Sequence, residues 1–432
     1  MVFKAYDIRG KYREEIDEKF AYSLGRVIGE LYKDKDILVG RDVRIGSEKL
    51  LPYFISGLME NANVYYAGVI STPLLYFATK DSYDLGVSLT ASHNPPEYTG
   101  FKMCDRKAIP LSPLEEIKPY FKYYEVKEEK INLDELKVDV IDNYKKFFLK
   151  RIGRLNHKIA VDFANGATTI AEKEILDEIL EEKVFINSEP DGTFPSHLPD
   201  TLKEECLKDI KRAVKEHNCE LGLIFDGDGD RLGMVDETGE TLRGDILTAI
   251  IAREILKEKR GAKIIYDLRC SKVVPETIEK FGGIAIKCRV GHYFIKKLMH
   301  KEDAEFAGEL SNHFYFKEIG YFESPLLALY YIVKAMENKK LSELREEFSK
   351  YYHSGEINFK VKDQREVLER IKEVFKDCKI EELDGVSVYC KNFWFNIRPS
   401  NTEPLLRLNL EAEDEETLKE KLEEIKKIIL GS

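Results

Sequence analysis

The sequence predicts an α/β protein of three successive mixed α/β domains followed by a smaller C-terminal α+β domain. Apolar runs of strand length alternate with segments of helical period along most of the chain. The 432 residues are too many for one hydrophobic core, and length alone favours three or four domains. From about Glu356 the alternation gives way to short strands flanked by helices, so the last domain is expected to differ from the others.

Four domains follow from this alternation, each beginning where one series of strands and helices ends. Their predicted ranges are 1–150, 155–240, 245–350 and 355–432. The stretches between these series are predicted linkers, near Arg151–Asn156, Val235–Gly244 and Tyr351–Gly355.

In the first two domains, short apolar runs predict strands and longer segments of 3.6-residue period predict helices. In the first domain, strands are predicted at Asp36–Val39, Asn63–Ala67 and Asp84–Leu89, with helices at Glu48–Asn61 and from Leu74. In the second domain, strands are predicted at Lys158–Asp162 and Leu221–Phe225, with helices near Thr169–Leu180 and Leu202–Glu216.

The same patterns define the elements of the last two domains. In the third domain, strands are predicted at Lys263–Tyr266 and Ala304–Ala307, with helices after Asp245, at Ser271–Lys280 and from Leu326. In the fourth domain, strands are predicted at Ser387–Cys390, Trp394–Ile397 and Leu405–Leu410, with helices at Glu366–Phe375 and Glu415–Ile429.

Composition and charge exclude several classes of protein. The formal net charge of −11 argues against nucleic acid or an anionic membrane as a general partner. No apolar run approaches the roughly 18 residues that span a bilayer, and the charged N-terminus lacks the apolar centre of a signal peptide, so a cytoplasmic location is expected. Seven cysteines without a Cys-x-x-Cys spacing predict buried reduced thiols, with no disulfide framework and no zinc site. No oligomeric state is predicted.

The first polar cluster, residues 90–102 (Thr-Ala-Ser-His-Asn-Pro-Pro-Glu-Tyr-Thr-Gly-Phe-Lys), follows the predicted strand that ends at Leu89. Ser92 is thus expected on a loop at a strand end, where open α/β sheets hold their ligands. A hydrolase triad is disfavoured, because Gly-x-Ser-x-Gly is absent and His93, as the next residue, is expected to be poorly placed to face Ser92. A plain turn is the alternative when this cluster is taken alone.

The second cluster, residues 226–231 (Asp-Gly-Asp-Gly-Asp-Arg), directly follows the apolar strand Leu221–Phe225. Three carboxylates at alternate positions in a glycine-containing loop can converge on one hard cation, and without one their charges repel strongly. An EF-hand is disfavoured, because Arg231 stands where that loop requires glycine and strands are expected on both sides. A phosphatase of the haloacid-dehalogenase type, with Asp226 as nucleophile, is the serious alternative, although it has Thr or Val where this chain has Asp230.

The third cluster, residues 308–313 (Gly-Glu-Leu-Ser-Asn-His), follows the predicted strand Ala304–Ala307. Glu309, Ser311 and His313 offer hydrogen-bond donors and acceptors that suit sugar hydroxyls. The motif is unspecific by itself, and a helix cap or an ordinary loop is the alternative.

The fourth cluster, residues 398–404 (Arg-Pro-Ser-Asn-Thr-Glu-Pro), is followed by Arg407. Arg398 provides a bidentate fork for phosphate, while hydroxyl groups and the backbone N–H groups of a tight loop supply further donors. An ordinary turn is again the alternative.

The four clusters are informative together, because one falls in each predicted domain. A strand-end serine, a metal loop with three carboxylates, a sugar-type loop and a phosphate cradle are expected to meet in a central cleft shared by the four domains. Clefts between domains are usual places for ligands.

In this order the clusters resemble the α-D-phosphohexomutase superfamily, and the resemblance covers essentially the whole chain. The motifs at 90–95 and 226–231 are highly specific together. The N-terminal Phe-Lys-Ala-Tyr-Asp-Ile-Arg-Gly at 3–10 is similar to the phosphomannomutase/phosphoglucomutase branch. Further matches are Gly-Arg-Asp-x-Arg at 40–44, Pro-Asp-Gly-Thr-Phe-Pro at 190–195 and Val-Gly-His at 290–292.

The resemblance implies a heart-shaped enzyme that moves a phosphoryl group between C1 and C6 of mannose or glucose. The transfer is expected to use a phosphoserine at Ser92 and a hexose 1,6-bisphosphate intermediate. Mg²⁺ is expected on the phosphoserine and on Asp226, Asp228 and Asp230. A phosphosugar is therefore the expected partner of the protein.

The resemblance also implies roles for single residues. Candidate catalytic residues are Ser92, Arg9, His93 and Lys102. Candidate substrate-binding residues are Arg231, Arg289, Glu309, Ser311, His313, Arg398, Ser400, Asn401, Thr402 and Arg407, with Arg289 standing where many relatives have Lys.

Three departures from the superfamily pattern concern the choice of sugar. Thr99 replaces an Asn, Asn312 replaces the Gly between Ser311 and His313, and residues 323–325 (Glu-Ser-Pro) stand where many members have Asp-Asp-Gly. A Cβ at position 312 can change the backbone of a sugar-contacting turn or narrow its pocket. Phosphoglucosamine and phosphopentose mutases therefore remain alternatives within the superfamily.

Overall fold

The computed structural model describes residues 2–127, 131–399 and 405–431. In these ranges the chain forms four five-stranded sheets, one after another along the sequence, each accompanied by helices. Each sheet carries one of the four polar clusters or the strands that flank it.

The first sheet positions the serine loop. Its strands are β1 (Ile8–Lys11), β2 (Asp36–Arg41), β3 (Asn63–Val69), β4 (Leu85–Leu89) and β5 (Tyr98–Asp105), and its helices are α1 (Glu18–Leu31), α2 (Ile45–Met59) and α3 (Thr72–Thr79). The strand order is β1-β5-β4-β2-β3, with β2 parallel to β3 and β4 and with β5 antiparallel to β4. Helices α1 and α2 pack closely at Gly25, where a Cβ would lie 2.1 Å from the carbonyl oxygen of Phe54.

The second sheet positions the aspartate loop. After α4 (Ile141–Ile152) its elements are β6 (Leu155–Asp162), α5 (Ala171–Ile179), β7 (Leu180–Ile186), α6 (Lys208–His217), β8 (Leu221–Phe225), β9 (Leu232–Asp236) and β10 (Thr241–Leu242). The order is β10-β9-β8-β6-β7, and β8 pairs antiparallel with β9. The aspartate loop is therefore the turn of a hairpin at the carboxyl end of a fully buried strand.

The third sheet has the order β12-β11-β13-β14-β15 and carries the sugar-type loop between β13 and β14. Its strands are β11 (Lys263–Asp267), β12 (Ile284–Cys288), β13 (Phe306–Gly308), β14 (Phe314–Phe316) and β15 (Phe322–Glu323). Its helices are α7 (Gly244–Glu258), α8 (Val273–Lys280), α9 (His292–Glu302), α10 (Pro325–Ala335) and α11 (Leu341–Phe348).

The fourth sheet is entirely antiparallel in the order β16-β20-β19-β18-β17. Its strands are β16 (Tyr352–Phe359), β17 (Lys379–Glu381), β18 (Val386–Tyr389), β19 (Phe393–Pro399) and β20 (Leu406–Ala412), and its helices are α12 (Gln364–Val374) and α13 (Glu415–Leu430). Arg398 and Pro399, the first residues of the fourth cluster, end the central strand β19.

The hydrophobic cores divide the molecule unequally. One continuous core joins buried side chains of the first three domains, from Leu74 in α3 through Phe225 in β8 to Ile250 in α7. The fourth domain packs its own core around Phe395 and Leu408, which is separate from the first. The fourth domain is therefore attached to the others through surface contacts and one chain crossing.

Two predicted linkers contain strands. The segment Tyr351–Gly355 belongs mostly to β16, which pairs with β20 through an irregular register between His353 and Glu356. The segment Val235–Gly244 contains β10, which pairs with β9. Both strands contain few apolar residues, so the sequence pattern indicated loops. In the structure, pairing with a neighbouring strand makes them strands.

The prediction that all cysteines are reduced is wrong at one pair. Cys378 and Cys390 form a disulfide with a Cα–Cα distance of 5.0 Å. They flank the β17–β18 hairpin, whose antiparallel register brings Lys379 opposite Tyr389 and so brings the two cysteines together. The remaining cysteines, Cys104, Cys206, Cys219, Cys270 and Cys288, are free and buried, as predicted.

Among the helices of the described residues, none has both the length and the apolar composition required to cross a bilayer.

Candidate active site

Ser92 lies in the loop after β4, and its backbone is in the left-handed region with a φ of 50°. A serine rarely adopts this conformation without local support, and such strain is common at functional sites. Oγ1 of Thr90 accepts the N–H of Ser92 at 2.9 Å and gives part of that support. The residue is buried, and its Oγ donates to Oδ2 of Asp226 at 2.8 Å.

The fully buried guanidinium of Arg44 holds the serine loop in shape. It donates to the carbonyl oxygens of Ser92 at 2.6 Å, Asn94 at 2.5 Å and Pro95 at 2.6 Å. Oδ2 of Asp42 lies 3.1 Å from its Nε and balances the buried charge. The Gly-Arg-Asp-x-Arg motif of the sequence therefore supplies the scaffold of this loop.

The aspartate loop approaches the serine loop closely, and its glycines permit the approach. A Cβ on Gly227 would lie 2.5 Å from the carbonyl oxygen of Ser92, closer than any real contact. Gly229 has a φ of 72°, in the region that glycine adopts readily. The first glycine is thus required for space and the second for its backbone.

The residues of the aspartate loop fit a hard divalent cation. Asp226, Asp228 and Asp230 are buried, and one carboxylate oxygen of each lies within 4.8 Å of the others. Oδ1 of Asp228 is buried and has no hydrogen-bond partner among the described residues, while Oδ1 of Asp230, also buried, lies 3.4 Å from Nε2 of His313. Three carboxylates in one place, one of them with an unpartnered oxygen, are a donor set that such a cation takes, because their charges repel one another.

Two features of the aspartate loop bear on the metal site: the environment of Asp226 and the elements on either side of the loop. Burial raises the pKa of Asp226 well above its ordinary value, and the carboxylates of Asp230 and Asp228 raise it further. The loop connects the two strands β8 and β9, whereas an EF-hand loop connects two helices, so an EF-hand is excluded.

Lys102, on β5, lies against the aspartate loop. Its Nζ is 2.7 Å from Oδ2 of Asp228 and 2.5 Å from Oδ2 of Asp230. Burial lowers the pKa of this lysine, but the two carboxylates outweigh burial and raise the pKa above its ordinary value. The ammonium group is therefore charged and contacts the second and third aspartates of the loop, whereas Ser92 contacts the first.

Arg9, on β1, contacts the serine loop through Asn94. Its Nη1 donates to Oδ1 of Asn94 at 2.5 Å, and its Nη2 donates to Oδ2 of Asp7 at 2.5 Å. Burial lowers the pKa of Arg9, but Asp7 and Asp228 outweigh burial and raise it. The cation is thus held next to the loop that carries Ser92.

The expectation that His93 is poorly placed to face Ser92 is wrong. Nδ1 of His93 lies 3.2 Å from Oγ of Ser92, because the left-handed backbone at Ser92 places the two adjacent side chains on the same side of the loop. Burial lowers the pKa of His93 well below its ordinary value, and Arg231 and Arg9 lower it further. The ring is therefore neutral near pH 7.

The sugar-type loop is the turn of the β13–β14 hairpin. Glu309 is held by the hydroxyl of Tyr315, which donates to Oε2 at 2.6 Å, and by the N–H of Gly291 at 3.2 Å. Nδ1 of His313 lies 3.1 Å from Oε2 of Glu309 and 3.1 Å from Oγ of Ser311. Burial raises the pKa of Glu309, but His313 outweighs burial and lowers it to about 2.

His313 connects the sugar-type loop with the aspartate loop. Its Nε2 lies 3.4 Å from Oδ1 of Asp230 and 3.2 Å from Nε of Arg231. Burial lowers the pKa of His313, but Asp230 outweighs burial and raises it to about 9. Nε of Arg231 donates to Nε2 of His313, so His313 joins the sugar-type loop to the aspartate loop.

Arg398 and Arg407 stand opposite each other in the β19–β20 ladder. Both contact Glu356 of β16, with Nη2 of Arg398 3.2 Å from Oε2 and Nη1 of Arg407 3.2 Å from Oε1. The other predicted members of the cradle, Ser400, Asn401 and Thr402, lie outside the described residues.

Arg289 lies just beyond β12, at the contact between the third and fourth domains. Its guanidinium carbon is 4.0 Å from the ring centroid of Phe294, and its Nη2 is 3.9 Å from Oδ1 of Asp384. The side chain is 41% exposed, so part of the guanidinium is accessible.

Arg269, which follows β11, is a further cleft residue that the sequence analysis missed. Its Nη2 lies 3.4 Å from Oγ of Ser311, and its Nη1 lies 3.7 Å from Oε2 of Glu356. Asp267 binds its guanidinium in a two-pronged pair. The run Asp-Leu-Arg-Cys at 267–270 resembles none of the motifs in the sequence analysis. Its position at the end of a buried strand is the signal that could have indicated a residue of the site.

Arg269 completes a continuous series of contacts through the cleft. Ser92 contacts Asp226, which lies 3.9 Å from Arg231. Arg231 contacts His313, His313 contacts Ser311, and Ser311 contacts Arg269. The series ends at Glu356 and the arginines of the fourth domain. All four domains therefore contribute to one site.

Comparison with known proteins agrees with this arrangement. Residues 1–127, 138–239 and 243–352 match alpha/beta/alpha domains I, II and III of phosphoglucomutase/phosphomannomutase, and residues 356–428 match its C-terminal domain.

The chain belongs to the phosphoglucomutase/phosphomannomutase family. This confirms the predicted fold class, the superfamily resemblance and the enzyme class, an intramolecular phosphotransferase.

Individual relatives of this phosphoglucomutase/phosphomannomutase-family enzyme are similar over nearly their whole length. A phosphomannomutase of Methanocaldococcus jannaschii is 76% identical, over 99% of this chain and 97% of that protein. A phosphomannomutase/phosphoglucomutase of Pseudomonas syringae is 34% identical, over 96% and 92%. The crystal structure of a phosphoglucomutase/phosphomannomutase family protein from Burkholderia thailandensis has a TM-score of 0.87 and 27% identity, over 99% and 96%.

Asn312, one of the departures from the superfamily pattern, makes an interdomain contact in this family enzyme. Asn312 has a φ of 67°, the left-handed conformation that a glycine adopts readily. Its buried side chain points to the second domain, where Nδ2 lies 3.2 Å from Oγ1 of Thr201. The added Cβ is thus accommodated between domains, without a change of the left-handed backbone.

The departure at residues 323–325 also concerns a domain contact. Glu323 is fully buried and pairs with Nζ of Lys296 at 2.7 Å, and this Nζ lies 3.5 Å from the ring centroid of Tyr76 in the first domain. Oγ of Ser324 accepts the N–H of Leu327 at 3.3 Å and caps α10. The triplet therefore serves packing of the third domain against the first.

Proposed function

We propose that the enzyme interconverts hexose 1-phosphate and hexose 6-phosphate, with mannose or glucose as the sugar. The reaction proceeds through a phosphoserine at Ser92 and a hexose 1,6-bisphosphate. The observation that carries the proposal is the 2.8 Å contact between Oγ of Ser92 and Oδ2 of Asp226 in a buried site. The names of the relatives, phosphomannomutase and phosphomannomutase/phosphoglucomutase, support the choice of sugar.

Phosphoryl transfer requires alignment and neutralisation of charge more than elaborate covalent chemistry. A sugar hydroxyl oxygen attacks the phosphorus and the bond between phosphorus and Oγ of Ser92 breaks. The proton of the sugar hydroxyl passes to a nearby base, and Oγ takes up a proton as it leaves, so no net proton is consumed. Lys102 and Arg9 face the transferring group with fixed positive charge. Mg²⁺ held by Asp226, Asp228 and Asp230 would supply further neutralisation of the phosphoryl oxygens.

The rest of the cleft holds the remainder of the substrate. Glu309, Ser311 and His313 offer acceptors and donors to the sugar hydroxyls. Arg398 and Arg407 bind the phosphate that is not transferred. Because the bisphosphate must present each end to Ser92 in turn, this cradle has to accept either phosphate group.

The test of the serine role is Ser92→Ala. We expect mutase activity to fall by about three orders of magnitude or more, since the group that carries the phosphoryl is removed. Ser88→Ala, which removes another buried hydroxyl from the preceding strand, is the matched control and should keep activity. Near-normal turnover in Ser92→Ala would remove Ser92 from its assigned role.

Mapping of the phosphopeptide separates this proposal from the alternatives. The proposal requires an acid-stable phosphate on the peptide with Ser92, whereas a phosphatase with Asp226 as nucleophile gives an acyl phosphate that hydroxylamine cleaves. A calcium-binding protein without catalysis gives neither. Competing mannose, glucose, glucosamine and pentose phosphates as substrates then decides the sugar.

A further inference from the structure

The arginine pair of the fourth domain raises an electrostatic difficulty. Arg398 and Arg407 are direct cross-strand partners, and like charges in this relation destabilise a sheet. Arg398 is only 2% exposed, so water screens its charge poorly. Burial lowers the pKa of Arg398, and Arg269 lowers it further.

Glu356 supplies the missing negative charge. It lies on β16, next to β20, and its two carboxylate oxygens contact the two arginines separately, each at 3.2 Å. Arg269 from the third domain approaches the same carboxylate at 3.7 Å. Burial raises the pKa of Glu356, but the three arginines outweigh burial and lower it, so the carboxylate is charged at neutral pH.

Carboxylates offset only part of the positive charge of this group. Glu356 lies between the guanidinium groups of Arg398 and Arg407, while Arg269 has a closer partner in Asp267. A phosphate monoester carries about −1.5 to −2 near pH 7 and would compete with Glu356 for the same two arginines. Nε of Arg398 is buried and has no hydrogen-bond partner in the described part of the chain, so this guanidinium retains a donor for another acceptor.

We propose that Glu356 is a resident competitor of substrate phosphate that keeps the arginine cradle from binding phosphate too tightly. This inference rests on the proposed function, because a mutase must release and rebind the phosphate of its bisphosphate in each cycle. Glu356 acts through the arginines and touches no reacting atom, so it is a positioning residue. An account in which it only stabilises the sheet predicts a different outcome on its removal.

The direct test is titration of the full chain with inorganic phosphate, comparing the natural protein with Glu356→Gln. We expect phosphate to bind on the order of tenfold more tightly to the variant, because a competing negative charge is removed and the shape is kept. Unchanged or weaker phosphate binding by a folded Glu356→Gln would overturn the proposal. Circular dichroism and thermal unfolding establish that the variant is folded.

Two further variants keep the test decisive. Glu381→Gln removes a carboxylate at the opposite edge of the same sheet, one that pairs with Lys287 at 2.7 Å, and it should leave phosphate affinity unchanged. If Glu356→Gln does not fold, Glu356→Asp retracts the carboxylate by one methylene. It should tighten phosphate binding by a smaller factor, and no tightening would again count against the proposal.

Steady-state kinetics with a hexose phosphate provide a second measurement. We expect Glu356→Gln to lower both KM and kcat, since tighter binding of substrate and intermediate slows their release. A purely structural role would lower kcat alone or raise KM. The phosphate titration needs no turnover, so tighter phosphate binding in a chain without mutase activity would retain this inference and reject the proposed function.

Discussion

At the scale of single residues, the geometry of the site depends on Gly227, whose lack of a side chain allows two loops to approach each other. The backbone of Gly227 lies against the carbonyl of Ser92, and this contact sets the distance between the serine and the aspartates. Any Cβ at this position has to push the two loops apart. Because a small displacement of catalytic groups lowers rate strongly, this glycine is a sensitive position.

We therefore expect Gly227→Ala to lower mutase activity by about a hundredfold, because the two loops separate. The measurement is kcat/KM together with the free energy of unfolding. Gly153→Ala is the control for backbone strain alone, because a Cβ there meets nothing within 4 Å, while φ of 71° and ψ of −154° lie in a region adopted almost only by glycine. Equal activity in the two variants would show that the close approach of the loops is unimportant.

The motif residues of the site could be predicted because each belongs to a run with unusual chemistry. The alternating aspartates after an apolar strand are one example, and the serine at a strand end is another. Arg269 and Glu356 could not be predicted, since each is a single charged residue whose main contacts in the site lie 40 or more residues away in the sequence. The position of His93 depends on a left-handed backbone at Ser92, which no sequence pattern indicated.

At the scale of elements, α3 and α5 meet through a buried carboxyl group. Oε1 of Glu172 in α5 accepts hydrogen bonds from the hydroxyls of Ser71 at 2.5 Å and Tyr144 at 3.3 Å. Burial raises the pKa of Glu172 to about 7, from an ordinary value of 4.5. The folded state therefore holds this proton through a pH range where the unfolded chain releases it.

Because the pKa of Glu172 is higher in the folded state than in the unfolded chain, the folded protein loses stability as pH rises between about 4.5 and 7. Glu172→Gln has no such proton to lose, so its stability relative to the natural protein should increase by on the order of 3 kcal/mol from pH 4.5 to pH 8. Urea unfolding at several pH values measures the difference. Glu174→Gln, on the exposed face of the same helix, controls for the substitution itself. A difference that is constant with pH would contradict the expectation.

Elements with a strong apolar pattern were predicted closely, and β8 matches its predicted range at both ends. Elements that depend on partners were not. The predicted helix Leu202–Glu216 is a short turn at Glu204–Leu207 followed by α6, and β16 and β10 are polar strands defined by pairing. The disulfide likewise depends on hairpin register, which the spacing of cysteines does not reveal.

At the scale of the whole molecule, the aspartate loop sits where the first three domains meet. We expect Mg²⁺ to raise Tm, because a ligand that binds only the folded protein stabilises it, by about 2.7 kcal/mol at a concentration of 100 Kd. Asp228→Asn should remove most of this effect, whereas Asp209→Asn, a change on α6 outside the aspartate loop, should retain it. An identical Tm in Mg²⁺ and in chelator would argue against a metal at this loop.

Because the fourth domain has a separate core, the contacts of Glu356 with the third domain depend on how the two domains are placed. Glu356, Arg398 and Arg407 belong to one sheet, whereas Arg269 belongs to the third domain. Rotation of the fourth domain away from the cleft would leave Arg269 and its partner Asp267 behind, while Glu356 would keep its contacts with Arg398 and Arg407. Opening the cleft would thus remove one of three guanidinium groups from the surroundings of a bound anion, and closing would return it.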